Sequence, residues 1–256
     1  MKPKIAAIIP ARLASSRFPE KVLYKFSGLT MIEHVWFRAI LSNAFNAGVY
    51  VCTCDQEIFD LINNRNGNCI MTSSDHNSGT SRVSEAIEKV DCSHVVIIQG
   101  DEPLILPSEL KKFANEIKDT NKYSVWNAVT NIKQFEDMND SSIVKCSLNV
   151  NNEIMFMYRR NPYIGSFKAY SRFSKKVLGL IGFKKSTLKQ FKFENRTLIE
   201  DSENIEQLHI LFNNVPIMSV NLGESSPSVN LPEDAFNVKR ILSEDLSQID
   251  ILKLYE

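Results

Sequence analysis

Short apolar runs alternate with helical stripes through the first hundred residues, and this alternation restricts the chain to few folds. Ile5, Ala6, Ala7, Ile8 and Ile9 form an unbroken apolar run stopped by Pro10, the pattern of a strand buried on both faces. Met31, Ile32, Val35, Trp36, Ala39 and Ile40 then share a helical stripe within residues 31–47, with Gly48 as its stop. Residues 49–53 read as a second strand, Asp55 as the cap of a helix carrying Ile58, Leu61 and Ile62, and residues 69–72 as a third strand. A helical stretch over 84–90 and a fourth strand over 95–98 follow. This order predicts an α/β fold with a doubly wound, mostly parallel sheet.

The second half is less regular. Pro107 opens a helix to about residue 118, with Ser108 and Glu109 near its positive end. Residues 125–130, 144–150 and 153–158 read as strands, the last two joined at Asn151-Asn152 as a hairpin. Residues 159–175 are rich in Arg, Lys, Tyr and Phe without a period and read as an excursion or arm. A strand over 177–183, a helix over 198–212, a strand over 217–222 and a helix over 232–242 complete the chain. No repeat, low-complexity tract or linker divides it, so residues 1–256 are expected to form one domain.

Lysine plus arginine balance aspartate plus glutamate at 30 each, so no global charge steers the chain to nucleic acid or to an acidic membrane. No apolar run reaches the roughly 20 residues of a bilayer span. The start, MKPKIAAIIPAR, lacks a small-residue cleavage site and reads as a first strand rather than a signal peptide. Cys52, Cys54, Cys69, Cys92 and Cys146 are odd in number and show no C-x-x-C spacing, which fits packing residues in a reducing cytoplasm.

Four polar clusters fall where strands end: 12–21, 73–82, 99–103 and 225–234. In a parallel sheet those ends meet on one edge, where such folds take ligands. The first cluster carries Arg12, Ser15, Ser16, Arg17 and Lys21 with no glycine between Pro10 and Glu20, so an anion there is held by side chains. By itself it is equally a solvated basic loop. The second, Ser78-Gly79-Thr80-Ser81-Arg82, suits hydrogen bonding to a base, ribose or phosphate; a plain helix cap by Ser78 or Thr80 is the competing reading. In the third, Asp101 follows a buried strand, either as a Mg²⁺ ligand for a nucleotide or as a turn acid. No nucleophile dyad is evident, and His76 is the one histidine near a cluster.

Taken in order, IIPAR-x-x-S-S-R-F-P-x-K, S-G-T-x-R, QGDEP and a late V-x-x-P-E-D segment resemble the 3-deoxy-manno-octulosonate (KDO) cytidylyltransferases over nearly the whole length. The resemblance implies a nucleotide-diphospho-sugar-transferase-like fold and a homodimer built through an arm at about 151–183. It also implies coupling of CTP to the anomeric hydroxyl of an acidic sugar, with release of pyrophosphate. Arg12, Ser16, Arg17 and Lys21 would then hold the triphosphate, with Arg12, Lys21 and Asp101 closest to the chemistry. Ser78, Thr80, Arg82 and Gln99 would face the nucleotide. Arg159, Glu203 and Gln207 would face the sugar, and Asp101 with Asn230 would hold Mg²⁺.

Three departures bear on that expectation. The family's V-D-x-P-E-D supplies a second metal-binding Asp, replaced here by Asn230, which offers a carbonyl oxygen without the charge. Glu20 stands where the family has Gly. The family's H-L-G-I-Y-G-Y strand is Val177-Leu178-Gly179-Leu180-Ile181-Gly182-Phe183, without its His and first Tyr. Loss of such partners changes which hydroxyls a site selects. A different acceptor (a modified sugar or a phosphonate) or a non-catalytic nucleotide-binding relative are the alternatives these departures raise.

Overall fold

In a computed structural model of the chain, which describes residues 2–15, 17–163, 165–191, 197–223 and 226–255, eleven strands are present. They are β1 (Ile5–Pro10), β2 (Lys25–Phe26), β3 (Leu29–Thr30), β4 (Val49–Thr53), β5 (Asn68–Met71), β6 (His94–Ile98), β7 (Val125–Asn131), β8 (Lys145–Leu148), β9 (Ile154–Tyr158), β10 (Ser174–Lys184) and β11 (Ile217–Asn221). The main sheet runs β11-β7-β10-β6-β1-β4-β5. β5, β4, β1 and β6 are mutually parallel, as are β7 and β11, whereas β10 is antiparallel to both β6 and β7. β8 and β9 form an antiparallel ribbon attached to the start of β10.

The period-2 alternation of β1 sorts its side chains into two apolar layers. Ile5, Ala7 and Ile9 pack with Val35, Trp36, Ile58 and Phe113, from the helices Met31–Leu41, Gln56–Asn64 and Pro107–Asp119. Ala6 and Ile8 pack with Val83, Ala86, Leu188 and Ile210, from the helices Gly79–Ala86, Lys185–Gln190 and Leu208–Phe212 on the opposite face. Every residue of β1 is buried, as an unbroken apolar run requires. A smaller core of Phe26, Met31, Leu104, Val229, Ala235, Val238 and Leu242 brings the helix Pro232–Glu244 back beneath the turn after β6.

Several sequence expectations need correction. The helix expected over 198–212 is two helices, Leu198–Glu203 and Leu208–Phe212, broken where Asn204 turns left-handed with φ 53°. Asparagine tolerates that conformation, and the apolar stripe continues across the break, so periodicity did not show it. The helix expected over 31–47 stops at Leu41. The arm expected over about 151–183 overlaps the main sheet, because β10 from Ser174 onward lies between β6 and β7.

Candidate active site

Because β1, β4, β5 and β6 are parallel, their carboxyl ends bring the loops after Pro10, Thr53, Met71 and Ile98 to one edge. A cavity of about 350 Å³ opens there. Arg12, Arg17, Lys21 and Arg82 contribute its cations, against the carboxylates of Asp101 and Glu206. Ser78, Gly79, Gln99 and His76 also line it. Volume and polarity suit a small anionic ligand. Ser16 lies outside the described residues.

The second cluster is both cap and wall. Ser78 Oγ accepts the Ser81 N–H at 3.1 Å, so Ser78 is the N-cap of the helix Gly79–Ala86. The helix start presses against β1: a Cβ on Gly79 would lie 3.1 Å from Pro10 Cγ. One turn in, Arg82 is only 2% exposed. Its Nη1 donates to Thr72 Oγ1 at 2.6 Å and to Ser73 O at 3.0 Å. Its Nη2 has no hydrogen-bond partner among the described residues. A buried guanidinium with one orphan nitrogen is costly unless a ligand completes it. His76, in the same loop, pairs through Nε2 with Glu85 Oε2 at 2.6 Å, and Glu85 also accepts the Ser73 N–H.

The third and fourth clusters are tied together. Val229 N–H donates to Asp101 O at 2.9 Å, and Lys21 Nζ donates to Asp101 Oδ2 at 2.6 Å and to Val229 O at 3.1 Å. Asn230 follows directly, its Oδ1 3.5 Å from Arg17 Nη2 and its N–H donating to Asp234 Oδ2. Next to Asp101, Glu102 has its carboxyl pushed up to about 8, chiefly by burial and then by the Asp101 charge. It lies against Gly179, where a Cβ would sit 2.7 Å from Glu102 Oε1, so any larger residue there would push the Glu102 carboxyl aside. β10 runs past the end of β6 at this point, with Gly179 O accepting the Gln99 N–H.

As arranged, these residues do not fit a resident divalent ion. Asp101 is covered by an ammonium, Asn230 faces a guanidinium, and among the described residues no group of three or more His, Cys, Asp or Glu converges as a metal site.

The expected sugar-side residues are not gathered as one helix face. Arg159 spends its guanidinium on backbone carbonyls: Nε on Glu203 O at 2.8 Å, Nη1 on Ser141 O at 3.0 Å and Nη2 on Asn204 O at 3.0 Å. It is therefore a clamp on two loops rather than a free fork for a carboxylate, although its charge lies near enough to Arg17 for the two to repel. Glu203 accepts the Arg159 N–H. Gln207 turns to the sheet and donates to Asn127 Oδ1 at 3.2 Å; Asn127 Nδ2 in turn reaches Leu178 O at the register shift between Val177 and Ile181. The neighbour Glu206 lines the cavity instead and accepts from Thr80 Oγ1 at 2.6 Å. Glu206 is not among the expected site residues, though it directly precedes Gln207.

Known proteins share this architecture. A family model described as cytidylyltransferase matches residues 6–219. A 3-deoxy-manno-octulosonate cytidylyltransferase of Histophilus somni (strain 2336) is 34% identical, covering 92% of this chain and 97% of its own. One from Escherichia coli is 29% identical over 96% of this chain and 98% of its own. A solved structure of CMP:2-keto-3-deoxy-manno-octonic acid synthetase complexed with CTP superposes with a TM-score of 0.87 at 28% identity, covering 95% of this chain and 100% of that one. Sequence and fold agree over nearly the full length, and the chain belongs to the cytidylyltransferase family.

Proposed function

We propose that this protein joins CTP to the anomeric hydroxyl of 3-deoxy-manno-octulosonate, or a close relative, giving the CMP-sugar and pyrophosphate. The orphan Nη2 of the buried Arg82, on the wall of a cavity rimmed by Arg12, Arg17 and Lys21, carries this reading. A buried unpaired donor on the wall of a cationic cavity is what a bound nucleotide completes. The relatives' names supply the acceptor.

In this reading Arg12, Arg17 and Lys21 neutralise the triphosphate, which is what attack at the α-phosphorus demands of the protein. Ser78, Gln99 and Arg82 hold the nucleoside end, and Glu206, tied to Thr80, faces the acceptor. Asp101 and Asn230 lie beside the phosphates. Mg²⁺ belongs to the proposal as an ion carried with the nucleotide, since phosphate oxygens are its ordinary ligands. Arg159, committed to the carbonyls of Glu203, Ser141 and Asn204, is in this reading a positioning residue rather than the fork on a sugar carboxylate.

Residues 1–256 are read as one cytidylyltransferase-like domain working in the cytoplasm. The five free cysteines support that compartment, and among the described residues no helix is long and apolar enough to cross a membrane. A homodimer is proposed through the β8–β9 ribbon, where Met155 and Phe156 are exposed and, among the described residues, β9 pairs within the sheet with β8 alone.

Pyrophosphate release from CTP with a panel of 2-keto-3-deoxy sugar acids tests the reading. Turnover with 3-deoxy-manno-octulosonate is the expected result. Turnover only with a modified acid would move the acceptor, in keeping with the apolar Val177 and Ile181. No turnover with any acid, beside a working control enzyme, would overturn the proposal.

A further inference from the structure

The two side chains expected to receive a divalent cation are already attended by cations of the protein itself. Lys21 and Asp101 form a close, largely enclosed pair, with 16% and 25% of their side chains exposed. Lys21 is held there by a second bond to Val229 O. Asn230 is fixed on three sides: its N–H is donated to Asp234, its Nδ2 reaches Ser228 Oγ at 3.2 Å, and its Oδ1 faces Arg17. The other nearby carboxylates are also engaged, Glu206 by Thr80 and Glu102 against Gly179.

The geometry points to an exclusion device: in the nucleotide-free protein Lys21 is the resident counter-ion of Asp101 and, with Arg17 at Asn230, keeps divalent metal out until a polyphosphate draws both cations away. A divalent ion approaching the free site would meet the already paired Asp101 carboxylate, the neutral Asn230 amide and two positive charges, while the Asp234 carboxylate is taken up by the Asn230 and Leu231 N–H groups. Mg²⁺ holds poorly to so few anionic oxygens. A family aspartate in place of Asn230 would shift this balance towards the metal; the amide shifts it towards the side-chain cations. A polyphosphate reverses the situation, because its oxygens offer the Lys21 ammonium and the Arg17 fork new partners, and Asp101 is then uncovered. By linkage, the polyphosphate must raise metal affinity by the same factor as metal raises polyphosphate affinity. The inference rests on the proposed function only for the identity of that polyphosphate.

Manganese is the probe, titrated into nucleotide-free protein and followed by the paramagnetic resonance of the free ion. Lys21→Met is expected to bind Mn²⁺ about tenfold or more tighter than the natural protein, as expected when a unit positive charge is removed from a partly enclosed site. Lys21→Arg, which keeps the charge, is expected to bind as weakly as the natural protein. Arg17→Met replaces an exposed side chain, keeps the fold even if Lys21→Met does not, and is expected to gain affinity in the same direction. Natural protein binding Mn²⁺ as tightly as both methionine variants would overturn the inference. No CTP or acceptor enters the titration, so its outcome is read separately from the turnover assay.

Discussion

Thr80 Oγ1 donates to Glu206 Oε2 at 2.6 Å, joining the start of the helix Gly79–Ala86 to the corner between Leu198–Glu203 and Leu208–Phe212. Thr80 is 4% exposed, so the carboxylate has no ready substitute donor from solvent on that side. Thr80→Val keeps the shape and removes the hydroxyl. Loss of a hydrogen bond to a charged group predicts roughly 1.5–3 kcal/mol lower unfolding free energy by urea titration. The KM for the acceptor is expected to rise more than the KM for CTP, because Glu206 is the residue set loose.

Arg82→Lys separates charge from geometry. Lysine keeps the positive charge but has no fork to reach Thr72, Ser73 and a ligand together. Calorimetry is expected to show CTP binding weakened by roughly 1.5–3 kcal/mol, the range for hydrogen bonds to charged groups. Unchanged CTP affinity would remove Arg82 from the nucleotide site.

Glu20 carries φ 54°, in the left-handed region. The position calls for glycine on conformational grounds, which accounts for the family's preference better than charge does. Glu20→Gly relieves about 1–2 kcal/mol of backbone cost and gives back part of it as unfolded-chain entropy. A net gain of about 1 kcal/mol or less in thermal or urea unfolding is the expected outcome.

His34 supplies a pH signature remote from the cavity. Burial, helped by the Arg38 charge, pushes it down to about 4, against the opposing pull of its bond to Phe26 O and of Glu33. In the unfolded chain it titrates near the ordinary value of about 6.5. Between those values the unfolded state binds a proton that the native state refuses, so stability falls as pH drops from about 6.5 to 4 and this contribution levels off below. The loss is roughly 3 kcal/mol. Urea titrations across that window are expected to show the slope in the natural protein and to lose most of it in His34→Gln.

The sheet and the cationic loop were legible because their signals are local. β1 is one apolar run ended by proline, and Arg12, Arg17 and Lys21 stand on the loop that follows it. Residues whose role depends on distant backbone were not legible. Arg159 looks like any exposed cation until the carbonyls of Ser141, Glu203 and Asn204 are seen around it. Gln207 and Glu206 are adjacent, and the break at Asn204 decides which of them reaches the cavity. β10 had the length and apolarity of a strand, but its place between β6 and β7, antiparallel to both, is set by pairing across the chain.

That placement of β10 also orders assembly. Leu180 pairs with Ile98 and Ile181 with Asn127, so the gap between β6 and β7 closes only with a segment made well after both. β1, β4, β5 and β6 can associate beforehand as a parallel half-sheet, but with β6 as a bare edge. Gly179, the residue that seats Glu102 and receives the Gln99 N–H, arrives with this late strand. A chain interrupted before residue 174 would therefore hold all of the cavity lining up to Asp101 and lack Glu206, with β6 unpaired on one side and the Gln99 N–H without the Gly179 carbonyl that receives it.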